Sequence, residues 1–201
     1  MSEPAPATRL WLVRHGQSTW NAAGRIQGQS YQAGSLTPTG REQAEQAAGQ
    51  LALAAPDAVV IVASDLARTA ETAAIIAGRL GLPLEFDPGL RELNLGTLEG
   101  TGSVTSDGAA DVIDQFWDDP YRRPPGGETV AEMYDRVHRT LRRLAAARPG
   151  AELIVVTHGG PVRVAMTASL PPPGTPLPRG AVGNASITPW PGPVHTEMVA
   201  P

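Results

Sequence analysis

The stretch Leu10-Trp11-Leu12-Val13-Arg14-His15-Gly16 decides the fold class, because a short apolar run stops abruptly at an Arg-His-Gly end. Such a run without polar alternation is typical of a strand buried on both faces of a parallel sheet. Ala58 to Ala63 and Leu153 to Val156 are runs of the same kind, and the latter stops at Thr157-His158-Gly159. Leu84 to Phe86 is predicted to be a further, short strand.

Helical patterns lie between the first strands. Thr39, with Glu42 three residues later, has the spacing of a capping box and predicts the start of one helix. Ser64 or Asp65 is expected to cap the next helix, which stops at Gly81 because glycine readily adopts the left-handed conformation that ends helices.

The second half of the chain repeats this alternation. A long helix is predicted from about Glu128 to Ala147, with apolar residues at helical spacing on one face and His138 partly exposed beside it. A short helix is expected at 109–117, and another follows Thr157-His158-Gly159 and runs to about Leu170. Residues 181–199 could supply one or two edge strands.

Strands that alternate with helices predict βαβ units, a mostly parallel sheet and helices on both faces. We therefore expect an α/β fold, a three-layer α/β/α sandwich in a single domain spanning 1–201. Residues 1–8 are expected to form a loose tail, and 101–125 an insert that caps the substrate. The proline-rich segment 171–178 is interpreted as an extended surface loop.

Composition excludes several classes of protein. The formal net charge is −4 over 201 residues, so no overall basic field favours nucleic acid. There is no Cys, and all 16 basic residues are Arg, which excludes thiol and Lys chemistry. The four His lack His-Glu-x-x-His spacing, so we expect no metal and no cofactor. Without a signal peptide or an 18-residue apolar run, a soluble cytoplasmic protein with no membrane partner is expected.

The strand ends predict an anion site. Carboxyl ends of parallel strands share one edge of the sheet, where ligands bind. His15, His158, Arg14 and Arg68 are expected to meet there and to hold a phosphate dianion, since Arg matches phosphate oxygens bidentately. Neutral imidazole is also a competent nucleophile toward phosphorus. The small residue after each His, such as Gly159, lets the backbone approach the phosphate.

A leaving alkoxide needs a proton, and Glu92 is the best candidate for its donor. Carboxyl groups beside a phosphate dianion tend to keep their proton and can serve as general acids. A surface ion pair between Glu92 and Arg91 is the alternative interpretation. Arg122 and Arg123 could clamp a substrate carboxylate or second phosphate, but with the nearby acidic Asp118 they equally fit a solvated charge cluster.

From Leu10 to Met166 the chain resembles the histidine phosphatase superfamily, which includes the cofactor-dependent phosphoglycerate mutases. Arg-His-Gly alone is weak evidence, but several blocks occur in the family's order. They are Leu12-Val13-Arg14-His15-Gly16-Gln17-Ser18-Thr19-Trp20-Asn21, Gly24-Arg25-Ile26-Gln27-Gly28, Leu36-Thr37-Pro38-Thr39-Gly40-Arg41, Ser64-Asp65-Leu66-Ala67-Arg68-Thr69, Leu90-Arg91-Glu92, Pro125-Gly126-Gly127-Glu128-Thr129 and Val156-Thr157-His158-Gly159-Gly160.

The resemblance implies a role for each matching residue. His15 would be the nucleophile that becomes phosphohistidine, and Glu92 would protonate the leaving oxygen and then activate water. Arg14, Arg68 and His158 would hold the phosphoryl oxygens. Three further residues would line the phosphate or substrate side: Asn21, Gln27 and Gly28.

The predicted function is a metal-independent phosphomonoesterase that hydrolyses a small phosphorylated metabolite, such as a sugar phosphate or a phosphoglycerate derivative. A phosphoglycerate-type mutase is the first alternative, but only 101–125 separates Gly100 from Gly126, which is short for an insert that shields phosphohistidine from water. A weakly active member that binds a phosphorylated ligand is the second alternative. The sequence leaves the oligomeric state open, with a homodimer among the states that it allows.

Overall fold

The computed structural model describes residues 7–102, 109–178 and 180–191, and of 109–112 it describes the backbone only. Within these residues the centre of the molecule is a sheet in the order β3-β2-β4-β1-β5. All neighbouring strands are parallel except β1 and β5, which are antiparallel. The strands are β1 (Arg9–Arg14), β2 (Ala58–Ala63), β3 (Leu84–Phe86), β4 (Glu152–Thr157) and β5 (Ile187–Trp190). The predicted mostly parallel sheet is confirmed.

Helices cover both faces of the sheet, as predicted. They are α1 (Thr19–Ala22), α2 (Pro38–Ala54), α3 (Ala67–Leu80), α4 (Ala109–Asp118), α5 (Val130–Ala147) and α6 (Gly159–Ala165). Alternate residues of β1 point to opposite faces. Leu10 and Leu12 join the core under α5 and α6, whereas Val13 joins the core under α2 and α3. The result is the three-layer α/β/α sandwich.

The strand register sets the position of the site. Arg14, the last residue of β1, pairs with Thr157, the last residue of β4. Ala63, at the end of β2, pairs with Val156. His15, Ser64 and His158 therefore leave the sheet side by side at its carboxyl edge.

Two predicted helix starts are wrong. The N-cap of α2 is Thr37, whose hydroxyl accepts a hydrogen bond from the Gly40 amide at 3.0 Å, rather than Thr39. Pro38 favours this earlier start because its fixed φ suits the first helical position. The N-cap of α3 is Leu66, which makes no side-chain cap. Gly81 ends α3 in the left-handed conformation, with a φ of 68°, as expected.

The later helices also differ in detail from the prediction. A capping box between Thr129 and Glu132 starts α5 at Val130, and α6 ends at Ala165 instead of near Leu170. His138 is buried rather than partly exposed, and its Nε2 lies 2.9 Å from the carbonyl oxygen of Val164 on α6. A buried ring nitrogen that meets a carbonyl ties α5 to α6.

The less regular segments are only partly described. Residues 1–6, 103–108 and 192–201 fall outside the description, so much of the predicted tail and part of the insert lie beyond it. Thr8 is held by hydrogen bonds from its hydroxyl to the carbonyls of Ala145 and Arg148. Leu177 of the proline-rich segment is buried, and its amide donates to the Trp117 carbonyl at 2.8 Å. None of the described helices is long and apolar enough to span a membrane.

Candidate active site

Two histidines meet at the carboxyl edge of the sheet. His15 follows β1, His158 follows β4, and their rings contact edge to face with centroids 5.2 Å apart. A Cβ at Gly16 would lie 2.2 Å from the carbonyl oxygen of Gly40. Only glycine therefore lets the chain after His15 pass this close to the start of α2.

The tautomer of His15 follows from its two neighbours. Its Nδ1 lies 2.7 Å from the carbonyl oxygen of Gly16, so this nitrogen carries the proton and donates. Its Nε2 accepts a hydrogen bond from Nε of Arg68 at 3.2 Å. Burial, followed by the charges of Arg68 and Arg14, holds the pKa of His15 well below its usual value. The ring is therefore neutral at neutral pH, with its lone pair on Nε2.

Arg68 sits in the first turn of α3 and is almost wholly buried, at 1% exposure. Its Nη2 donates to the carbonyl oxygen of Gly28 at 2.8 Å. Burial lowers the pKa of Arg68 to about 10, so the side chain keeps its charge at neutral pH. Arg14 donates from Nη1 to the carbonyl of Val182. Both side chains are thus fixed by neutral backbone carbonyls, and neither forms an ion pair within the described residues, although the charge of Glu92 acts on both.

Three residues around His15 each have a buried polar atom that lacks a hydrogen-bond partner. Among the described residues, four buried side-chain polar atoms make no hydrogen bond: Arg14 Nε, Arg68 Nη1, His158 Nδ1 and Ser186 Oγ. The first three belong to the residues predicted to hold phosphoryl oxygens. Buried donors without partners carry a free-energy cost that an oxyanion would remove. The arrangement therefore suits a phosphoryl group next to His15 Nε2.

Glu92 lines the same pocket. One of its carboxylate oxygens accepts from the Leu93 amide at 2.9 Å, and the other accepts from the Gly160 amide at 3.2 Å. The alternative ion pair with Arg91 is not formed, because Arg91 pairs with Asp65. Two backbone amides therefore orient the carboxyl group that we predict from the sequence to be the general acid.

Two amides line the substrate side of the pocket. Ser18 donates to the side-chain oxygen of Asn21 from its amide at 3.1 Å and to that of Gln27 from its hydroxyl at 2.7 Å. These bonds leave the NH₂ groups of both amides available as donors. Asn184 donates to the carbonyl oxygen of His15 at 3.2 Å and so fixes the backbone of the nucleophile.

The pocket has a volume of about 410 Å³ and is lined by predicted site residues together with others. Seven predicted residues line it: Arg14, His15, Asn21, Gln27, Gly28, Arg68 and Glu92. The additional lining residues are Arg25, Ile26, Leu93, Leu95, Ile113, Trp117, Gly160 and Arg163. Arg25 and Gly160 lie inside the sequence blocks that carry the family resemblance. Their position in those blocks could therefore have identified them as pocket residues.

Comparison with known proteins agrees with this geometry. The model of the histidine phosphatase superfamily (branch 1) matches residues 10–190. The chain belongs to the histidine phosphatase superfamily. The prediction of a hydrolase of the histidine phosphatase type, acting on phosphoric monoesters, is confirmed as to the class of enzyme.

The curated relatives of this histidine phosphatase include a protein named as a phosphatase and proteins named as probable mutases. Over 189 residues it is 38% identical to glucosyl-3-phosphoglycerate phosphatase of Mycolicibacterium vanbaalenii, covering 89% of this chain and 81% of the relative. Over 156 residues it is 39% identical to the probable phosphoglycerate mutase GpmB of Salmonella paratyphi C, covering 75% and 69% respectively.

Solved structures give the same fold. Mycobacterial glucosyl-3-phosphoglycerate phosphatase in complex with VO3 aligns with a TM-score of 0.77 at 30% identity, over 90% of each chain. YhfR of Bacillus stearothermophilus aligns with a TM-score of 0.77 at 31% identity, over 91% of this chain and 90% of that one.

The structure places the remaining predicted site residues outside the pocket lining of this histidine phosphatase. His158 is fully buried beside His15, and Gly159 packs near the Arg14 side chain. Arg123 forms an ion pair with Glu132 and donates to the Gly127 carbonyl at 2.9 Å. Arg122 is exposed and does not line the pocket either. A substrate-binding role for Arg122 and Arg123 stays a prediction that this geometry does not favour.

Proposed function

We propose that this chain is a metal-independent phosphomonoesterase that hydrolyses a small phosphorylated metabolite through a phosphohistidine on His15. One observation supports it above all. The lone pair of His15 Nε2, which accepts a hydrogen bond from Arg68 Nε in the empty pocket, lies among residues with buried polar atoms that lack a partner: Arg14, Arg68 and His158. A nucleophile surrounded by oxyanion donors is the arrangement that phosphoryl transfer needs.

The first step transfers the phosphoryl group to the enzyme. His15 Nε2 forms a bond to phosphorus while the ester P–O bond breaks. Glu92 gives its proton to the leaving oxygen, so an alcohol departs. The proton on Nδ1 remains on the ring and keeps its hydrogen bond to the Gly16 carbonyl oxygen. This bond stabilises the positive charge that the ring gains.

The second step returns the enzyme to its starting state. The ionised Glu92 takes a proton from a water molecule, whose oxygen bonds to phosphorus as the P–N bond to His15 breaks. Inorganic phosphate leaves, and Glu92 is protonated again for the next cycle. The amides of Leu93 and Gly160 keep the carboxyl group in place through both proton transfers.

Arg14 and Arg68 supply the positive charge that a metal ion supplies in other phosphatases. The described residues hold no group of three or more side chains with metal-ligating atoms. We therefore propose catalysis without a metal.

The substrate class rests on the relatives and on the size of the pocket. A glucosyl-3-phosphoglycerate phosphatase and a probable phosphoglycerate mutase are among the relatives. A volume of about 410 Å³ fits a small metabolite. A sugar phosphate or a phosphoglycerate derivative is the proposed substrate.

The relative named as a probable mutase supports one alternative function, a phosphoglycerate-type mutase. A mutase would need a bisphosphorylated primer and would lose its phosphoryl group to water slowly. We favour hydrolysis because the match to the phosphatase spans more of this chain than the match to the mutase.

The test is phosphate release from a panel of phosphorylated metabolites, with EDTA present and bisphosphoglycerate absent. Release from one or a few compounds supports the proposal and names the substrate. No release from any compound, 4-nitrophenyl phosphate included, contradicts it. Turnover that appears only after bisphosphoglycerate is added would identify a mutase, and phosphate binding without turnover would identify a ligand-binding member.

A further inference from the structure

Both ring nitrogens of His15 make hydrogen bonds within the protein. Nδ1 lies 2.7 Å from the carbonyl oxygen of Gly16, and Nε2 lies 3.2 Å from Nε of Arg68. The hydrogen bond at one nitrogen of an imidazole sets which nitrogen keeps the lone pair. The direction in which Nε2 presents its lone pair therefore depends on how firmly Gly16 and Arg68 are themselves held.

One hydroxyl group binds both of these residues. Oγ1 of Thr72, on α3, accepts a hydrogen bond from the Gly16 amide at 3.1 Å and donates one to the Arg68 carbonyl oxygen at 2.7 Å. The chain and these hydrogen bonds together close a ring that runs from His15 through Gly16, Thr72 and Arg68 back to His15. Thr72 is not among the described residues that line the pocket, so it can act on the reaction only through its neighbours.

Packing alone does not explain a threonine at position 72. The residue is fully buried on α3, as are Ala73 and Ile76. Threonine has a lower helix propensity than alanine or leucine, and a hydroxyl that bonds to the carbonyl four residues earlier slightly destabilises a helix. A purely apolar residue of similar shape would fill the same space. The gain that offsets these costs is an acceptor for the amide of Gly16.

Thr69, three residues earlier on α3, provides a matched comparison. It is also fully buried, and its hydroxyl donates to the Leu66 carbonyl oxygen at 2.6 Å. That bond stays within the start of α3. The two threonines therefore share burial, helix and a bond back to the helix, and Thr72 differs by the amide that it accepts from the segment after β1.

From this ring we infer that Thr72 is a positioning residue, whose hydroxyl fixes the imidazole of His15 through Gly16 and Arg68. The inference rests on the proposed function and adds to it a residue that does not touch the substrate. Without the hydroxyl, the buried Gly16 amide would lose its acceptor, and the chain after His15 would shift to find another. The Gly16 carbonyl would then move away from Nδ1, and Nε2 would lose its alignment for attack on phosphorus.

Kinetics of variants at positions 72 and 69 test the role. Thr72→Val removes the hydroxyl and keeps the branched shape, and we expect kcat for 4-nitrophenyl phosphate to fall about tenfold, while KM and inhibition by inorganic phosphate change much less. Thr72→Ser, which keeps the hydroxyl, should retain most of the wild-type kcat. Thr69→Val, the matched control, should leave kcat unchanged. A wild-type kcat in Thr72→Val overturns the inference, and so do equal losses in Thr72→Val and Thr69→Val.

A spectroscopic measurement separates positioning of the ring from a general loss of stability. The hydrogen-bonded Nδ1 proton of His15 should give a downfield proton NMR signal, which is assigned by its disappearance in His15→Ala. We expect this signal to shift or broaden in Thr72→Val and to stay in place in Thr72→Ser and Thr69→Val. An unchanged signal in Thr72→Val overturns the inference even where kcat falls. If circular dichroism shows that Thr72→Val does not fold, Thr72→Ala replaces it in both measurements, with the same expected and contradicting results.

Failure of the positioning role and failure of the proposed function give different results. A wild-type enzyme that hydrolyses 4-nitrophenyl phosphate, together with a Thr72→Val variant of equal kcat and unchanged NMR signal, overturns the role of Thr72 alone. A wild-type protein that releases phosphate from no compound overturns the proposed function, and the NMR comparison then still decides whether Thr72 holds the ring of His15.

Discussion

The Nε2 atom of His158 lies 2.9 Å from the hydroxyl oxygen of Ser64, a residue at the end of the neighbouring strand. The Ser64 oxygen also accepts a hydrogen bond from the Leu66 amide at 3.4 Å. We assign the hydroxyl proton of Ser64 to the hydrogen bond with Nε2 of His158. With this assignment the ring proton of His158 lies on Nδ1, the buried atom without a partner.

Removing this hydroxyl should weaken catalysis through the tautomer of His158. We expect Ser64→Ala to lower kcat/KM about tenfold, since losing one hydrogen bond at a buried polar group costs about 1–3 kcal/mol. Ser64→Thr, which keeps the hydroxyl, should restore most of the activity. The measurement is steady-state hydrolysis of 4-nitrophenyl phosphate, with thermal unfolding as a check on the fold. Equal activity of the Ala and Thr variants would show that the hydroxyl does not act on His158.

His15 carries the covalent step, so replacing it should abolish turnover. His15→Ala should fold normally, because the residue lies at a strand end and contributes little to either core. Circular dichroism compares the folding of the variant with that of the wild type, and phosphate release from the best substrate compares their turnover. Appreciable residual turnover in a folded His15→Ala protein would exclude the phosphohistidine mechanism.

Glu92 is expected to matter most when the leaving group is poor. Glu92→Gln should cut kcat by roughly 10²–10⁴-fold for an alkyl phosphate, the usual contribution of a positioned acid. The loss should shrink for 4-nitrophenyl phosphate, whose leaving group needs little protonation. An equal loss on both substrates would assign Glu92 to binding or folding instead.

Gly160 offers an independent test of the same acid. A Cβ at this position would lie 2.2 Å from Oε1 of Glu92 and 3.3 Å from Cε of Met133. Gly160→Ala should therefore displace the carboxyl group and reproduce the dependence on leaving group seen with Glu92→Gln. Measuring both variants on the alkyl and nitrophenyl esters checks this expectation. A Gly160→Ala enzyme with wild-type rates on both would show that the orientation of Glu92 is not critical.

The catalytic edge of the sheet was predictable from sequence for a physical reason. Apolar runs that end in Arg14-His15 and Thr157-His158 predict parallel strands of one sheet, whose carboxyl ends share one edge. The structure adds that these two strands are neighbours. His15 follows β1 directly. Arg68, in the first turn of the helix after β2, and Glu92, in the loop after β3, line the same pocket although the three residues are far apart in sequence.

The rest of the pocket depended on contacts that a linear pattern does not encode. Ser64 has the residue type of a helix cap, yet its hydroxyl faces His158 because the strand ends place it there. Trp117 and Arg163 reach the pocket through the packing of α4 on α6 and through the loop that ends at Gly180. His138 lies beside the apolar face of α5, yet it is buried, and the Val164 carbonyl of α6 accepts its ring N–H.

Three buried histidines should make the stability of the fold depend on pH. Burial lowers the pKa of His15, His138 and His158 below the unfolded value of about 6.5. As the pH falls through about 6.5, the unfolded chain takes up protons that the folded chain does not, so the free energy of unfolding decreases. The loss continues until the pH reaches the folded pKa values.

Urea unfolding at pH 7.5, 6.5 and 5.5 measures this loss directly. His138→Gln should flatten the dependence, because its amide can still donate to the Val164 carbonyl while one titrating ring is removed. Arg79→Gln, a change at an exposed position of α3, serves as a control that should leave the slope unchanged, since it removes no buried histidine. Stability that stays constant or rises toward pH 5.5 would contradict the neutral state of the buried rings, and with it the lone pair that the proposed mechanism assigns to His15.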